Sequence, residues 1–170
     1  MNKIESGPIV INPSFSKEER RESLFGLLKR KKPEEDTVPC LLNLKKINRL
    51  PGGIVYDGCL YEGALDAHGI PNGTGSVRGP YSSFSGRIAN GLRHGKGILF
   101  AGSEVYEGDF ENDVFHGQGK LTIDHIGVYE GAFVNGKFHG KGKFSWKDGT
   151  VYEGDFFEDT SHGKGVLRFT

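Results

Sequence analysis

The chain has 170 residues, enough for one ordinary domain with an appendage and short for two separate globular cores. Its 22 basic and 22 acidic residues balance, but residues 1–50 carry a net charge of +4 and residues 51–170 a net charge of −4, which argues against a uniformly basic, nucleic-acid-binding surface. Twenty-seven glycines beside 35% hydrophobic residues would suit a disordered chain if they were scattered, yet 12 Phe and 6 Tyr argue otherwise, so the arrangement of the glycines decides.

The N-terminus lacks an apolar signal core, no run reaches the roughly 18 apolar residues of a membrane span, and neither terminus carries a lipidation motif. Ser16-Lys17-Glu18-Glu19 has the spacing of a capping box, and Leu24, Leu27 and Leu28 follow on one helical stripe, which predicts a helix from about 17 to 31. Its end carries Lys29, Arg30, Lys31 and Lys32, cations that suit the negative end of the helix dipole and that could also meet an anionic lipid or a partner. Pro33 stops it, and Pro33 to Pro39 read as an acidic linker. Between Cys40 and Leu50, the positions of Leu41, Leu44 and Ile47 suit a short second helix or an extended segment. Residues 1–50 are thus expected to form an N-terminal segment with one or two short helices. Cys40 and Cys59 stand apart from any CxxC or metal-ligand spacing, so the sequence supports neither a disulfide framework nor a zinc site and fits a reducing compartment.

From Ile54 onward the chain repeats. An aromatic-x-Gly segment recurs as Tyr61-Glu62-Gly63, Phe84-Ser85-Gly86, Tyr106-Glu107-Gly108, Tyr129-Glu130-Gly131 and Tyr152-Glu153-Gly154, at intervals of 23, 22, 23 and 23. A Gly-x-Gly segment follows each one: Gly73-Thr74-Gly75, Gly95-Lys96-Gly97, Gly117-Gln118-Gly119, Gly140-Lys141-Gly142 and Gly163-Lys164-Gly165. Each unit holds two short alternating runs around a turn, the pattern of a β-hairpin. Asn90-Gly91 and Asn135-Gly136 tolerate positive φ at both central positions of such a turn; Asn112-Asp113 and Glu158-Asp159 occupy the same place. A period of two puts Tyr106, Gly108 and Phe110 on one face and Glu107 and Asp109 on the other, and the neighbouring units do the same. The ten glycines are expected to make room for rings lying flat on adjacent strands, and the Tyr-Glu-Gly glutamates to face the Gly-Lys-Gly lysines on the opposite side.

Tyr-Glu-Gly, a polar turn, His-Gly-x-Gly and a period near 23 together resemble the MORN (membrane occupation and recognition nexus) repeat, over residues 54–170. The residues and the resemblance agree on an all-β fold: an elongated single-layer antiparallel sheet of five tandem hairpins, about 54–78, 79–100, 101–123, 124–146 and 147–170, preceded by a short helical segment. Ile54-Val55-Tyr56 is expected to supply an opening strand, and the last strand, Val166 to Phe169, to need a cover from a partner, a second copy or the N-terminal segment.

Sharper chemistry has bland competitors in this sequence. His94, His116, His139 and His162 recur at a spacing that puts successive copies about 10 Å apart, too far to share one metal ion. Gly-Lys-Gly lacks the Ser/Thr and the strand-to-helix setting of a phosphate loop, and acid pairs such as Glu107/Asp109 sit on a solvated face. No catalytic residue, metal or cofactor is therefore expected. The resemblance implies a non-enzymatic scaffold or adaptor that binds a protein segment along an aromatic-lined groove formed by Tyr61, Phe84, Tyr106, Phe110, Tyr129, Phe133, Trp146, Tyr152 and Phe156. It also implies a cytoplasmic setting, in a cilium, a flagellum or the cytoskeleton. A phosphoinositide-binding or membrane-tethering module is the alternative, and control of an enzyme on another chain a third reading.

Overall fold

The computed structural model describes Ile9–Ile11, Ile47–Leu50, Gly53–Tyr56 and residues 59–169. The helix expected over 17–31, with Lys29 to Lys32, and the acidic linker lie outside the described residues. No helix occurs among the described residues, which form thirteen strands: β1 (Ile9–Ile11), β2 (Ile47–Leu50), β3 (Gly53–Tyr56), β4 (Cys59–Leu65), β5 (Pro71–Arg78), β6 (Ser82–Ala89), β7 (Leu92–Ala101), β8 (Glu104–Glu111), β9 (Val114–Ile123), β10 (Gly127–Val134), β11 (Lys137–Trp146), β12 (Val151–Phe157) and β13 (Thr160–Arg168).

All thirteen join one open antiparallel sheet in which β2 to β13 follow chain order and β1 returns to pair with β13 at the far end. Val10 stands opposite Val166, so the exposed last edge is covered by the N-terminal segment, one of the three covers expected. At the other end β3 is the opening strand, and Ile47–Leu50 pairs with it, Ile47 opposite Tyr56. The helical alternative for Cys40–Leu50 therefore fails at 47–50: pairing with the β-rich Ile54-Val55-Tyr56 run outweighs the helical spacing of Leu41, Leu44 and Ile47. Cys59 is disulfide-bonded, contrary to the reading from spacing, and the reducing-compartment argument loses its basis. Pairing of cysteines depends on the distance between their Cα atoms in the fold, which a linear motif does not report.

The hairpin turns are those the Asn-Gly rule demands. Both central residues have positive φ at Asn90/Gly91 (51° and 79°), Asn112/Asp113 (48° and 69°), Asn135/Gly136 (51° and 77°) and Glu158/Asp159 (47° and 66°). Consecutive turns are tied together, since the second turn residue donates its N–H to the preceding hairpin: Gly91 to Pro71 (2.9 Å), Asp113 to Arg93 (3.0 Å), Gly136 to Phe115 (2.9 Å) and Asp159 to Phe138 (3.2 Å). Each hairpin thus completes its neighbour's hydrogen bonding, which makes the repeats cooperative with their neighbours.

Inside each hairpin the ladder is broken once. Gly131 pairs with Gly142 but Ala132 pairs with His139, so Gly140 and Lys141 are extra residues on the second strand. This corrects the uniform role expected for the glycines. The first glycine of Gly-x-Gly provides the left-handed backbone of the bulge, φ +61° at Gly140, where a Cβ would meet only the Ala132 Cβ at 3.7 Å. The second glycine and that of Tyr-Glu-Gly are steric. A Cβ on Gly131 would lie 2.6 Å from the Gly142 Cα and 2.6 Å from the Tyr129 hydroxyl.

Candidate functional site

The two faces of the sheet are chemically unlike. On one, the expected rings come together as a continuous row. Tyr106 stacks on Phe115 at 3.8 Å between centroids and meets Phe110 and Phe133 edge-on at 5.0 and 5.1 Å. One repeat later Tyr129 stacks on Phe138 at 3.8 Å and meets Phe133 and Phe156 edge-on at 5.1 and 5.0 Å. Each tyrosine therefore binds its own strand, its hairpin partner and the next repeat, with about 0.5–1.5 kcal/mol per ring pair beyond area burial. Tyr152 meets Phe156 edge-on at 5.2 Å, and Phe84 meets Phe110 at 5.3 Å.

Tyr61, Phe84, Tyr106, Phe110, Tyr129, Phe133, Tyr152 and Phe156 are each no more than 4% exposed. Trp146 is partly buried against Phe144, 4.5 Å away. A partner that touched the eight buried rings would have to displace what covers them, so in this conformation they hold the fold together.

The tyrosine hydroxyls have a fixed task. Each donates to the carbonyl three residues on, where the ladder breaks: Tyr61 to Ala64 (2.6 Å), Tyr106 to Asp109 (2.8 Å), Tyr129 to Ala132 (2.9 Å) and Tyr152 to Asp155 (3.1 Å). Burial pushes the Tyr106 and Tyr129 phenols above their ordinary pKa, with the Asp109 carboxylate adding to the effect at Tyr106.

One buried cation interrupts the row. Arg93 stands where later hairpins carry Phe115 and Phe138, 8% exposed, with its guanidinium 6.0 Å from the Phe84 centroid and 5.5 Å from that of Phe110. Its Nε donates to the Asp113 carboxylate at 2.9 Å and its terminal nitrogen to the Asp113 carbonyl at 3.1 Å. Sequence reasoning missed this pair, because its partners are 20 positions apart and meet only through the turn register.

The opposite face is open. Across β9 to β13 it forms a groove of about 1410 Å³, floored by the backbone of Gly119, Gly131, Gly142, Gly154 and Gly165. Its walls carry Lys120, Glu130, Lys141, Lys143, Glu153, Lys164 and Arg168. Strand register makes one wall an alternating row: Glu107 opposite Lys120, Lys120 opposite Glu130, Glu130 opposite Lys143, and Lys143 opposite Glu153. Lys120 pairs with Glu130 at 3.0 Å and Arg168 with Glu153 at 3.3 Å. Two of the three Gly-Lys-Gly lysines meet aspartates instead of the expected glutamates, Lys96 with Asp109 at 2.8 Å and Lys141 with Asp155 at 2.6 Å. Strand register between neighbouring hairpins puts them there, Lys96 directly opposite Asp109 and Lys141 opposite Asp155, two residues along from the glutamate row. The hydrogen bond from Lys141 holds the Asp155 carboxyl below its usual range, helped by the Lys164 N–H. The signal for this groove was the lysine that follows the second glycine, Lys120 and Lys143, alternating with the Tyr-Glu-Gly glutamates.

Among the described residues no cluster of His, Cys, Asp or Glu is arranged to hold a metal ion, and no helix is long and apolar enough to cross a membrane. His116 approaches Glu111 at 3.3 Å, while His139 and His162 flank the Phe157 ring at 5.2 and 5.8 Å.

A search of the curated proteins returned no match to the chain. The family model described as MORN repeat matches residues 84–102, 106–123, 129–151 and 152–170, which takes in four of the hairpins. Tandem hairpins in one open sheet, the tyrosine-on-glycine packing repeated in step, and that match make this chain a MORN-repeat protein.

Proposed function

We propose that the chain is a non-enzymatic scaffold or adaptor that holds a protein segment across the open face of its repeat sheet. The observation that carries this reading is the division of labour between the faces: the rings are buried, whereas the groove over β9–β13 presents exposed side chains along a glycine-backbone floor. The groove crosses four strand spacings, about 19 Å, which suits an extended segment of about six residues. The expected aromatic-lined groove is thereby replaced as contact surface by the opposite face, and the rings become its support. The ciliary or cytoskeletal and cytoplasmic setting is the part of the proposal that rests on the resemblance alone.

A photo-crosslinking residue at Lys143, inside the groove, is expected to label a protein partner in native extract, and one at Lys147, in the turn beyond it, is expected not to. Equal labelling from both positions would remove the groove from the reading. Labelling from neither, with binding to phosphoinositide vesicles, would favour the membrane module instead.

A further inference from the structure

The groove inverts the charge of the region that builds it. Residues 51–170 hold 11 cations and 15 acids, a net −4, yet five of those cations and only two of the acids line the groove. The cations are Lys120, Lys141, Lys143, Lys164 and Arg168; the acids are Glu130 and Glu153. Asp155, paired with Lys141 from outside the lining, still leaves an excess of positive charge.

Not all of that charge is spent within the protein. Lys120, Lys141 and Arg168 have carboxylate partners, while Lys143 and Lys164 make no ion pair among the described residues. Lys143 lies on the wall between Glu130 and Glu153, each of which is engaged by another cation. Lys164 lies exposed on the other wall, where its backbone N–H, and not its ammonium, meets the Asp155 carboxylate at 3.2 Å. Two exposed ammonium groups are thus held above a concave floor of peptide backbone.

We infer that the groove selects an acidic, extended peptide segment, whose carboxylates pair with Lys143 and Lys164 and whose main chain lies over the glycine floor. The inference rests on the open-face reading above and adds the chemistry of the partner. Lys143 on β11 and Lys164 on β13 are two strand spacings apart along the groove, about 10 Å, so acids three positions apart in an extended chain, whose side chains leave it on opposite sides, meet the two walls. A basic segment would face five cations, and a neutral one would leave Lys143 and Lys164 without counter-charge.

A library of random ten-residue peptides displayed on phage and selected against the intact chain tests this. The selected sequences are expected to be enriched in Asp and Glu. Synthetic copies are expected to bind the K143E/K164E double variant at least tenfold more weakly, and to lose affinity severalfold as salt rises, because exposed charges are screened beyond about 10 Å at 0.1 M. The variant's melting temperature checks that both changes stay on the surface. Neutral or basic selected sequences overturn the acidic class. If those sequences also lose binding to a Q118W/V166W variant, which fills the two ends of the groove without altering charge, the open-face reading stands while the acidic class falls. Acidic sequences that bind K143E/K164E as well as the parent overturn the assignment to these two lysines. No peptide selected, together with binding to vesicles containing phosphatidylinositol bisphosphate, overturns both readings.

Discussion

The Tyr129 hydroxyl donates to the Ala132 carbonyl at 2.9 Å, reaching across Gly131 to the residue at which the β10–β11 ladder loses its register. A ring that spans two residues of its own strand needs a residue without Cβ beneath it. A carbonyl at a ladder break needs a donor, and the phenol meets both needs at once.

Two substitutions separate these roles. Tyr129→Phe keeps the ring and leaves the half-buried Ala132 carbonyl without its phenol, at an expected cost of about 1 kcal/mol. Gly131→Val drives a side chain into the Gly142 backbone and is expected to cost about 1–3 kcal/mol, whereas Glu130→Val on the open face costs under about 0.5 kcal/mol. Chemical denaturation of the three variants measures all the differences, and equal midpoints for Gly131→Val and Glu130→Val would remove the steric account.

Arg93 offers a test by repair. Asp113→Gly strips a buried guanidinium of its carboxylate and is expected to destabilise the sheet by about 3–5 kcal/mol, although it places glycine at a positive φ. Adding Arg93→Phe rebuilds the arrangement of Phe115 beside the following Asn135-Gly136 turn, so the double variant should regain most of the loss. Additive effects in the double-mutant cycle would show that the pair is not a unit.

Buried phenols make a prediction about alkali. Because Tyr106 and Tyr129 have pKa values raised above 10.0 in the folded chain, the unfolded chain loses its protons first as pH rises. Their contribution is complete below pH 10 and is lost above it, by up to about 1.4 kcal/mol per pH unit for each tyrosine until the folded value is reached. Melting temperature followed from pH 8 to 12 should bend downward near 10. The Y106F/Y129F variant should bend less, and an identical bend would assign the loss to other groups.

The β1–β13 pairing predicts a change in association. Deleting residues 1–11 uncovers the β13 edge, including the backbone of Gly165, Val166 and Leu167. The truncated chain should form concentration-dependent oligomers, read by light scattering after size exclusion, to a greater extent than the full chain. The same mass for both at every concentration would mean that β1 does not protect this edge.

Much of this arrangement was legible because the repeat states the same thing several times. Asn90-Gly91 and Asn135-Gly136 announce positive φ by residue type, and their agreement in phase with Asn112-Asp113 and Glu158-Asp159 makes weak turns readable. Period-two alternation separates Tyr129 from Glu130, but it does not say which face closes over its side chains and which stays concave. Ring burial and the open groove therefore had to come from the structure. Arg93 was illegible for another reason: in a one-dimensional reading it is a polar residue beside a turn, and only the register that brings Asp113 and Phe110 to it explains its burial.

The return of β1 to the last strand also orders events in time. Most pairings in the sheet join segments that are neighbours in the chain, whereas Ile9 meets Leu167 across 158 positions. Closing that loop costs about 2 kcal/mol more than closing a ten-residue hairpin, since each doubling of length adds about 0.6 kcal/mol. At about 5–20 residues per second of synthesis, Ile9 waits about 8–30 s for its partner while the hairpins between form in microseconds. Three residues return little against that closure cost, so β1 should be the last strand to join and the first to leave, and protection of its amides from hydrogen exchange should lag behind that of every hairpin.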